Sequence, residues 1–348
     1  MLEFSELSLP VIVLLFAGAA AVVGFFGVKL AGEADELADV TGLGEALMGG
    51  IFLGALTSLS GTVTSVTAAW NGQADLAFSN AIGGIAAQTV FLAVADVAYR
   101  RANLEHAASS LPNLLQGALL VCLLTLPLIA MAGPEWSLGG VHVVSWLLIP
   151  AYVMGMRLVS NVQKQPLWQP EQTAETRLDE VKPPVESSGG ATDLTRRWLK
   201  FAGLGCVVGV AGYVIAKTGG EISARTEVSA TLVGMLFTSV STSLPELITS
   251  IAAVRRGALT LAVGGIIGGN CFDVLFLTFS DVAYRGGSIY HAVGFEQVYV
   301  LAMCLLVTGI LLMGLLRREK HGIANIGFES VLILTVYVLG LAGLIMRG

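Results

Sequence analysis

Long apolar runs separated by short polar connections set the rhythm of this chain from residue 8 to residue 346. Crossing about 30 Å of hydrocarbon takes roughly 20 apolar residues. On that measure the pattern predicts ten membrane-spanning helices, near 8–31, 44–70, 75–98, 112–132, 140–158, 199–217, 229–254, 259–283, 296–316 and 325–346. One long polar interruption stands out at 159–198, where QKQPLWQPEQTAETRLDEVKPPVESSGG is too poor in apolar residues to build a packed core. It reads as a linker between a first set of five helices, 1–158, and a second set, 199–348. The opening MLEFSELS lacks the basic start of a secretory signal, and the run behind it is too long for a signal core, so the first span is expected to stay in the membrane.

Composition agrees with a polytopic membrane protein: 55% of the 348 residues are hydrophobic, only 13% are charged, and the mean hydropathy is +0.78. The net charge of -6 and the lack of a basic block set nucleic acid aside as a partner. Cys122, Cys206, Cys271 and Cys304 sit in apolar runs without metal-ligand or redox spacing. No nucleophile–base pair, phosphate loop or histidine ligand spacing appears in the spans, so an enzyme is disfavoured and no cofactor is expected.

Charge asymmetry gives an orientation. With the N-terminus outside, fifteen of the nineteen Lys and Arg residues fall at cytoplasmic ends or loops, and only Lys217, Arg225, Arg285 and Arg347 fall outside. Both termini are then external and the linker is cytoplasmic.

The two sets of helices are copies. At a constant offset of 185 residues, Thr57/Thr242, Ser58/Ser243, Leu59/Leu244, Thr64/Thr249, Ser65/Ser250, Gly72/Gly257, Ile82/Ile267, Gly83/Gly268 and Gly84/Gly269 coincide, and DVAYR recurs at 96–100 and 281–285. Five spans per copy is an odd number, so the copies enter the membrane in opposite directions. The expected fold is all-α, ten helices in two inverted-topology repeats, a plan shared by many secondary transporters.

The chemistry concentrates in helices 2 and 7. STSLPELITS (241–250) carries a proline, five hydroxyls and Glu246 inside an apolar run, and its mate LTSLSGTVTS (56–65) has Ser60 and Gly61 in place of the proline and glutamate. A break there frees backbone groups that lipid cannot satisfy but a cavity or an ion can, so both helices are expected to be broken near the midplane, where coupling ions are commonly held. The following helices, SNAIGGIAAQTVF (79–91) and GGIIGGNCFDVLF (264–276), use glycine pairs for close approach and place Gln88 and Asp273 one turn later. Thr57, Ser58, Thr242, Ser243, Gln88, Glu246 and Asp273 would then form one pocket of hard oxygens, suited to sodium, calcium or a similar cation. A charge near the membrane centre costs roughly 3 kcal/mol or more and marks function.

GMLFTSVSTSLPELITS followed by GGIIGGNCFDVLF resembles the two signature helices of the calcium/cation antiporter superfamily, to which sodium/calcium exchangers belong. The resemblance implies a secondary antiporter moving Ca2+ against Na+ or H+ by alternating access. It also implies that Glu246, Asp273, Thr57, Ser58, Thr242 and Ser243 are ion ligands, with Gln88 where an amide or carboxylate is usual. The chain departs from that pattern at Gly61, where a second glutamate is usual, and at Gly84 and Gly269, where serines are usual. An alternative follows from the first departure: a cation-binding membrane protein of the same fold that has lost or altered exchange. The expected partners are the lipid bilayer and inorganic cations.

Other polar residues have local readings. Asp96 and Asp281 each precede an arginine by four residues, Arg100 and Arg285, which predicts helix-end ion pairs. His106 and His291, also 185 apart, read as hydrogen-bonding residues, and Asn80 and Asn270 as interhelical ties. Trp70 and Trp168 read as interfacial anchors, and Glu33, Asp35, Glu36 and Asp39 as a solvated acidic face.

Overall fold

The computed structural model describes residues 4–41, 58–99, 102–164, 168, 171, 173, 191–256, 259–320, 322 and 326–346. Of the predicted span 44–70, only 58–70 falls within them.

Apart from one hairpin, Ser137–Leu138 paired antiparallel with Val141–His142, and a 3-10 turn at Phe4–Glu6, the described residues are helical or in short connections. The helices are α1 (Leu9–Thr41), α2 (Leu59–Trp70), α3 (Ala74–Ala98), α4 (Leu104–Ala108), α5 (Leu111–Ala132), α6 (Val143–Lys164) and α7 (Ala191–Arg225). They continue as α8 (Ala230–Thr242), α9 (Leu244–Arg256), α10 (Leu259–Asp273), α11 (Leu275–Ala283), α12 (Ile289–Ala292), α13 (Glu296–Arg317) and α14 (Phe328–Ile345). Eight spans are long and apolar enough to cross a bilayer, and the bent pair α8–α9 makes up to nine among the described residues. This is an all-helical, multi-pass architecture.

The long helices α1 and α7, of 33 and 35 residues, run to roughly 50 Å at 1.5 Å per residue and so overshoot the hydrocarbon. Both extend beyond the spans expected from hydropathy alone. The extension has a packing cause: Leu30 and Leu37 of α1 bury against Phe201 and Val208 of α7, with Leu194 packed on them. Here the acidic face predicted around Glu33 is corrected, because Glu33 is buried and paired with Lys200 across the two helices. The side chains of Asp35, Glu36 and Asp39 lie outside the described set. At the other end, Arg225 donates to the carbonyls of Leu7, Phe4 and Ser5 and pairs with Glu221 one turn back.

Helix α3 is nearly all buried. Glycine makes this possible: a Cβ on Gly83 would lie 2.6 Å from the Met235 Cα, and one on Gly234 would lie 2.5 Å from the Ser79 Cβ, so α3 and α8 meet backbone to backbone. Within α8 the turn Val233–Thr238 is a π-helix, a wider winding often found at functional sites. Asn80 ties this crossing together. Its Nδ2 donates to Ser65 Oγ (2.8 Å) and its Oδ1 accepts from Thr238 Oγ1 (2.7 Å), joining α2, α3 and α8. Asn270 likewise donates to Thr89 Oγ1 at 3.2 Å. His106 bonds the Arg318 carbonyl and Thr173, and His291 the Gly133 carbonyl, both as ordinary hydrogen-bonding residues.

Candidate functional site

The predicted interruption of helix 7 is present. α8 ends at Thr242, α9 starts at Leu244, and the two axes diverge by 49°. Pro245 lacks the N–H that would continue the ladder. That N–H would have met the Ser241 carbonyl; one residue on, the carbonyl of Thr242 at the break accepts a hydrogen bond from Ser60 Oγ at 3.0 Å. Ser60 stands 185 residues before Pro245. The hydroxyl of one segment thus supplies a donor beside the donor that the other lacks.

Helix α2 begins in the same way. Ser58 caps it with φ -90°, ψ 14°, and Ser243 stands before α9 with φ -97°, ψ 7°. Neither helix shows these residues in the extended capping conformation. Ser58 makes no side-chain cap bond, which leaves its hydroxyl for other partners. The break expected in helix 2, and Thr57, fall outside the described residues.

Four elements meet at this point. Gln88 of α3 donates from Nε2 to Asp273 Oδ2 of α10 at 2.7 Å and to Ser243 Oγ at 3.3 Å. Ser58 stands beside the Asp273 carboxylate. Glu246, in the first turn of α9, lies near Asp273. Gln88 and Asp273 are themselves 185 residues apart, so equivalent positions of the two segments touch. Ser58, Gln88, Ser243, Glu246 and Asp273 are therefore brought together. Thr242 is buried at the same junction, with its hydroxyl turned to its own helix, donating to the carbonyls of Thr238 and Ser239. Of Thr242, it is the chain break rather than the hydroxyl that faces the junction.

The unsatisfied atoms point to cation chemistry. Among the described residues, Ser58 Oγ, Gln88 Oε1, Glu246 Oε2 and Asp273 Oδ1 are buried and lack a hydrogen-bond partner. Buried polar groups normally find partners, and leaving one unmade costs about 1–3 kcal/mol, more when charged. Four such oxygens from four elements, all acceptors or hydroxyls, match what a hard cation requires. The glycines open the approach: a Cβ on Gly84 would lie 3.6 Å from Ser243 Oγ, and one on Gly269 3.6 Å from Gln88 Oε1.

Sequence reasoning missed the roles of Asp96 and Asp281. Both are fully buried, and the ion pair predicted between Asp281 and Arg285 does not organise Asp281. Asp281 Oδ1 accepts from Ile289 N, and its Oδ2 from His142 N and Ser145 Oγ, each at 2.8 Å. Arg285 instead lies 4.7 Å over the Trp70 ring, and Arg100 is outside the described residues. Asp96 does the same with Leu104 N (2.7 Å), Gly327 N (3.1 Å) and Ser330 Oγ (2.9 Å). Each partner of one aspartate is 185 residues from the matching partner of the other. The constant offset was the signal that could have found this.

Glu105 was also missed. It is buried beside Asp96 and Glu329, and burial first, then those two charges, hold its carboxyl well above the usual carboxylate range.

The chain matches the family described as sodium/calcium exchanger protein over residues 11–155 and 197–346. A putative antiporter, CaxA of Alkalimonas amylolytica, is 35% identical over 89 residues, covering 25% of this chain and 28% of that protein. An uncharacterized membrane protein of Methanocaldococcus jannaschii is 27% identical over 126 residues, 36% of this chain and 38% of its own length. The matched stretches thus span less than two fifths of these relatives. Among solved structures, an H+/Ca2+ exchanger, CAX, superimposes with a TM-score of 0.67 at 13% identity, covering 96% of this chain and 82% of that one. The sodium-calcium exchanger NCX_Mj gives 0.58 at 16% identity, covering 95% and 99%. At these identities the likeness speaks for the fold.

Proposed function

This chain belongs to the sodium/calcium exchanger protein family, and on that premise we propose that it is a secondary cation antiporter exchanging Ca2+, or a similar divalent ion, for Na+ or H+. The substrates named for its structural neighbours, Ca2+ with H+ or with Na+, suit the hard-oxygen pocket. The observation that carries the reading is the meeting of Glu246, Asp273, Gln88, Ser58 and Ser243, with four of their oxygens buried and unpaired. Thr57 and the Thr242 carbonyl complete the proposed ligand set.

The wider plan is part of the same proposal. Ten helices form two inverted repeats, 1–158 and 199–348, joined by a cytoplasmic linker at 159–198, with both termini outside. Support comes from the matched aspartate clamps and from the Gln88–Asp273 contact, which lies where a two-fold axis relating the repeats would pass. Alternating access then consists of the repeats exchanging roles about this shared pocket.

Charge balance sets the stoichiometry. Glu246 and Asp273 supply two negative charges, and uncompensated charge is costly in a low-dielectric site. One divalent cation neutralises them, as do two Na+ or two protons, so exchange is electroneutral. The test is Ca2+ flux into proteoliposomes under imposed Na+, pH and voltage gradients, with Glu246→Gln alongside. Coupled flux that is voltage-independent and lost in Glu246→Gln is expected. Flux persisting near the wild-type rate in that variant overturns the site. Cation binding without any flux favours the second reading, a binding protein that no longer cycles, which is motivated by Gly61.

A further inference from the structure

The residue 185 positions before Glu246 is Gly61, and the position is closed rather than merely lacking a side chain. A Cβ built on Gly61 would lie 2.7 Å from Phe276 Cε2 and 3.2 Å from Cζ. The first distance is shorter than real Cβ contacts allow, so even alanine requires the ring to move. The ring is held in place. Phe276 is 3% exposed, it meets Phe272 edge-on at 6.1 Å, and Phe272 meets Tyr152 at 5.9 Å. Three aromatic residues from α6, α10 and α11 thus form a wedge that ends against the start of α2. Edge-to-face pairs of this kind are worth about 0.5–1.5 kcal/mol each beyond their buried area.

The neighbours of Gly61 are tied as well. The Gly61 carbonyl accepts from Asn80 Nδ2 at 3.2 Å, and the adjacent Ser60 is bound to the Thr242 carbonyl. Behind them, a Cβ on Gly212 of α7 would lie 2.7 Å from the Ser60 carbonyl oxygen. Helix α2 therefore has no room to retreat from the ring.

We propose that Phe276 is a selectivity-determining residue: its ring fills the volume that a carboxylate opposite Glu246 would need, and so fixes the pocket at two negative charges. This deepens the exchange reading above and rests on it. A two-carboxylate pocket holds one divalent ion or two monovalent ions. Opening the ring's place and supplying a third carboxylate would let a further monovalent ion return in each cycle.

The test uses the full chain in liposomes. Gly61→Glu alone is expected to insert poorly, because its side chain meets the wedge. The double variant Gly61→Glu/Phe276→Ala is expected to recover insertion and to bind Ca2+ about tenfold more tightly, since affinity follows the number of charged ligands. Its exchange becomes voltage-sensitive: one extra charge per cycle across 100 mV changes the accumulation ratio by about 50-fold. Equilibrium 45Ca2+ binding to purified protein gives a readout that does not depend on transport. Should the folded double variant keep wild-type affinity and voltage independence, the role of Phe276 is overturned while the exchange reading stands. Equally, Gly61→Glu alone inserting and melting like the wild type shows that the ring does not close this position. Absence of flux in the wild type removes the exchange reading itself, and the binding measurement then decides whether the ring limits site charge.

Discussion

Replacing Asp281 by Asn separates a buried clamp from a surface ion pair. The carboxylate accepts three hydrogen bonds, from Ile289 N, His142 N and Ser145 Oγ, each at 2.8 Å. An amide of the same shape keeps one accepting oxygen. Its cheapest orientation leaves that oxygen toward His142 N and turns the NH2 toward Ile289 N, because a backbone N–H cannot reverse its role. One charge-assisted bond, worth about 1.5–3 kcal/mol, is lost and two donors face each other. The remaining bonds weaken as the charge goes. The sum is roughly 2–4 kcal/mol, and alanine, which loses all three acceptances, should cost about twice that. At about 2 °C per kcal/mol, the lower end for larger chains, Asn should lower the melting temperature by roughly 4–8 °C in detergent. Asp96→Asn should match it, since its three donors occupy equivalent places. Arg285→Ala should move the melting point far less. A fall under about 1 °C for Asp281→Asn, or an equal fall for Arg285→Ala, would refute the clamp.

Two further outcomes follow from the geometry. Glu105 has its folded-state pKa raised above the ordinary value near 4.5 by burial, Asp96 and Glu329, so the folded state holds this proton more tightly than the unfolded state. Its contribution to stability is complete below the ordinary value and is lost as pH rises through the raised one. Glu105→Gln should therefore flatten the decline of melting temperature above about pH 4.5, and an unchanged slope tells against it. Gln88→Glu would set a second carboxylate within hydrogen-bond distance of Asp273, and two such groups share a proton. Ca2+ flux in this variant should rise more steeply with pH than in the wild type, and parallel pH profiles would contradict that.

What was legible in the sequence was whatever the 185-residue offset or the apolar runs carried. The pocket residues could be grouped because proline, glutamate, aspartate and paired glycines are conspicuous inside apolar helices. Asp281 was misread because an i, i+4 rule sees one helix, whereas two of its donors are 139 and 136 residues away in the chain, and Asp96 likewise takes donors from 231 and 234 residues away. Glu33 was lost in an acidic run, since its burial depends on how far α1 and α7 continue together. Glu105 lies in a connection, where a single acid reads as solvated. Gly61 showed that a side chain was missing; that a ring from α11 takes its place depends on packing no periodicity encodes.

The aspartate clamps also impose an order on synthesis. When the ribosome has delivered the fourth to sixth helices, His142 and Ser145 have already been made before Asp281, so that clamp can close soon after α11 and α12 emerge. Asp96 has the opposite fate. Its donors Gly327 and Ser330 follow it by 231 and 234 residues, a delay on the order of 10–50 s at ordinary translation rates. Until then, of the three donors that hold Asp96, only the Leu104 N–H has been made. The arrival of α14 is thus the act that completes this clamp, and a chain cut short before residue 327 would leave Asp96 without two of its three donors.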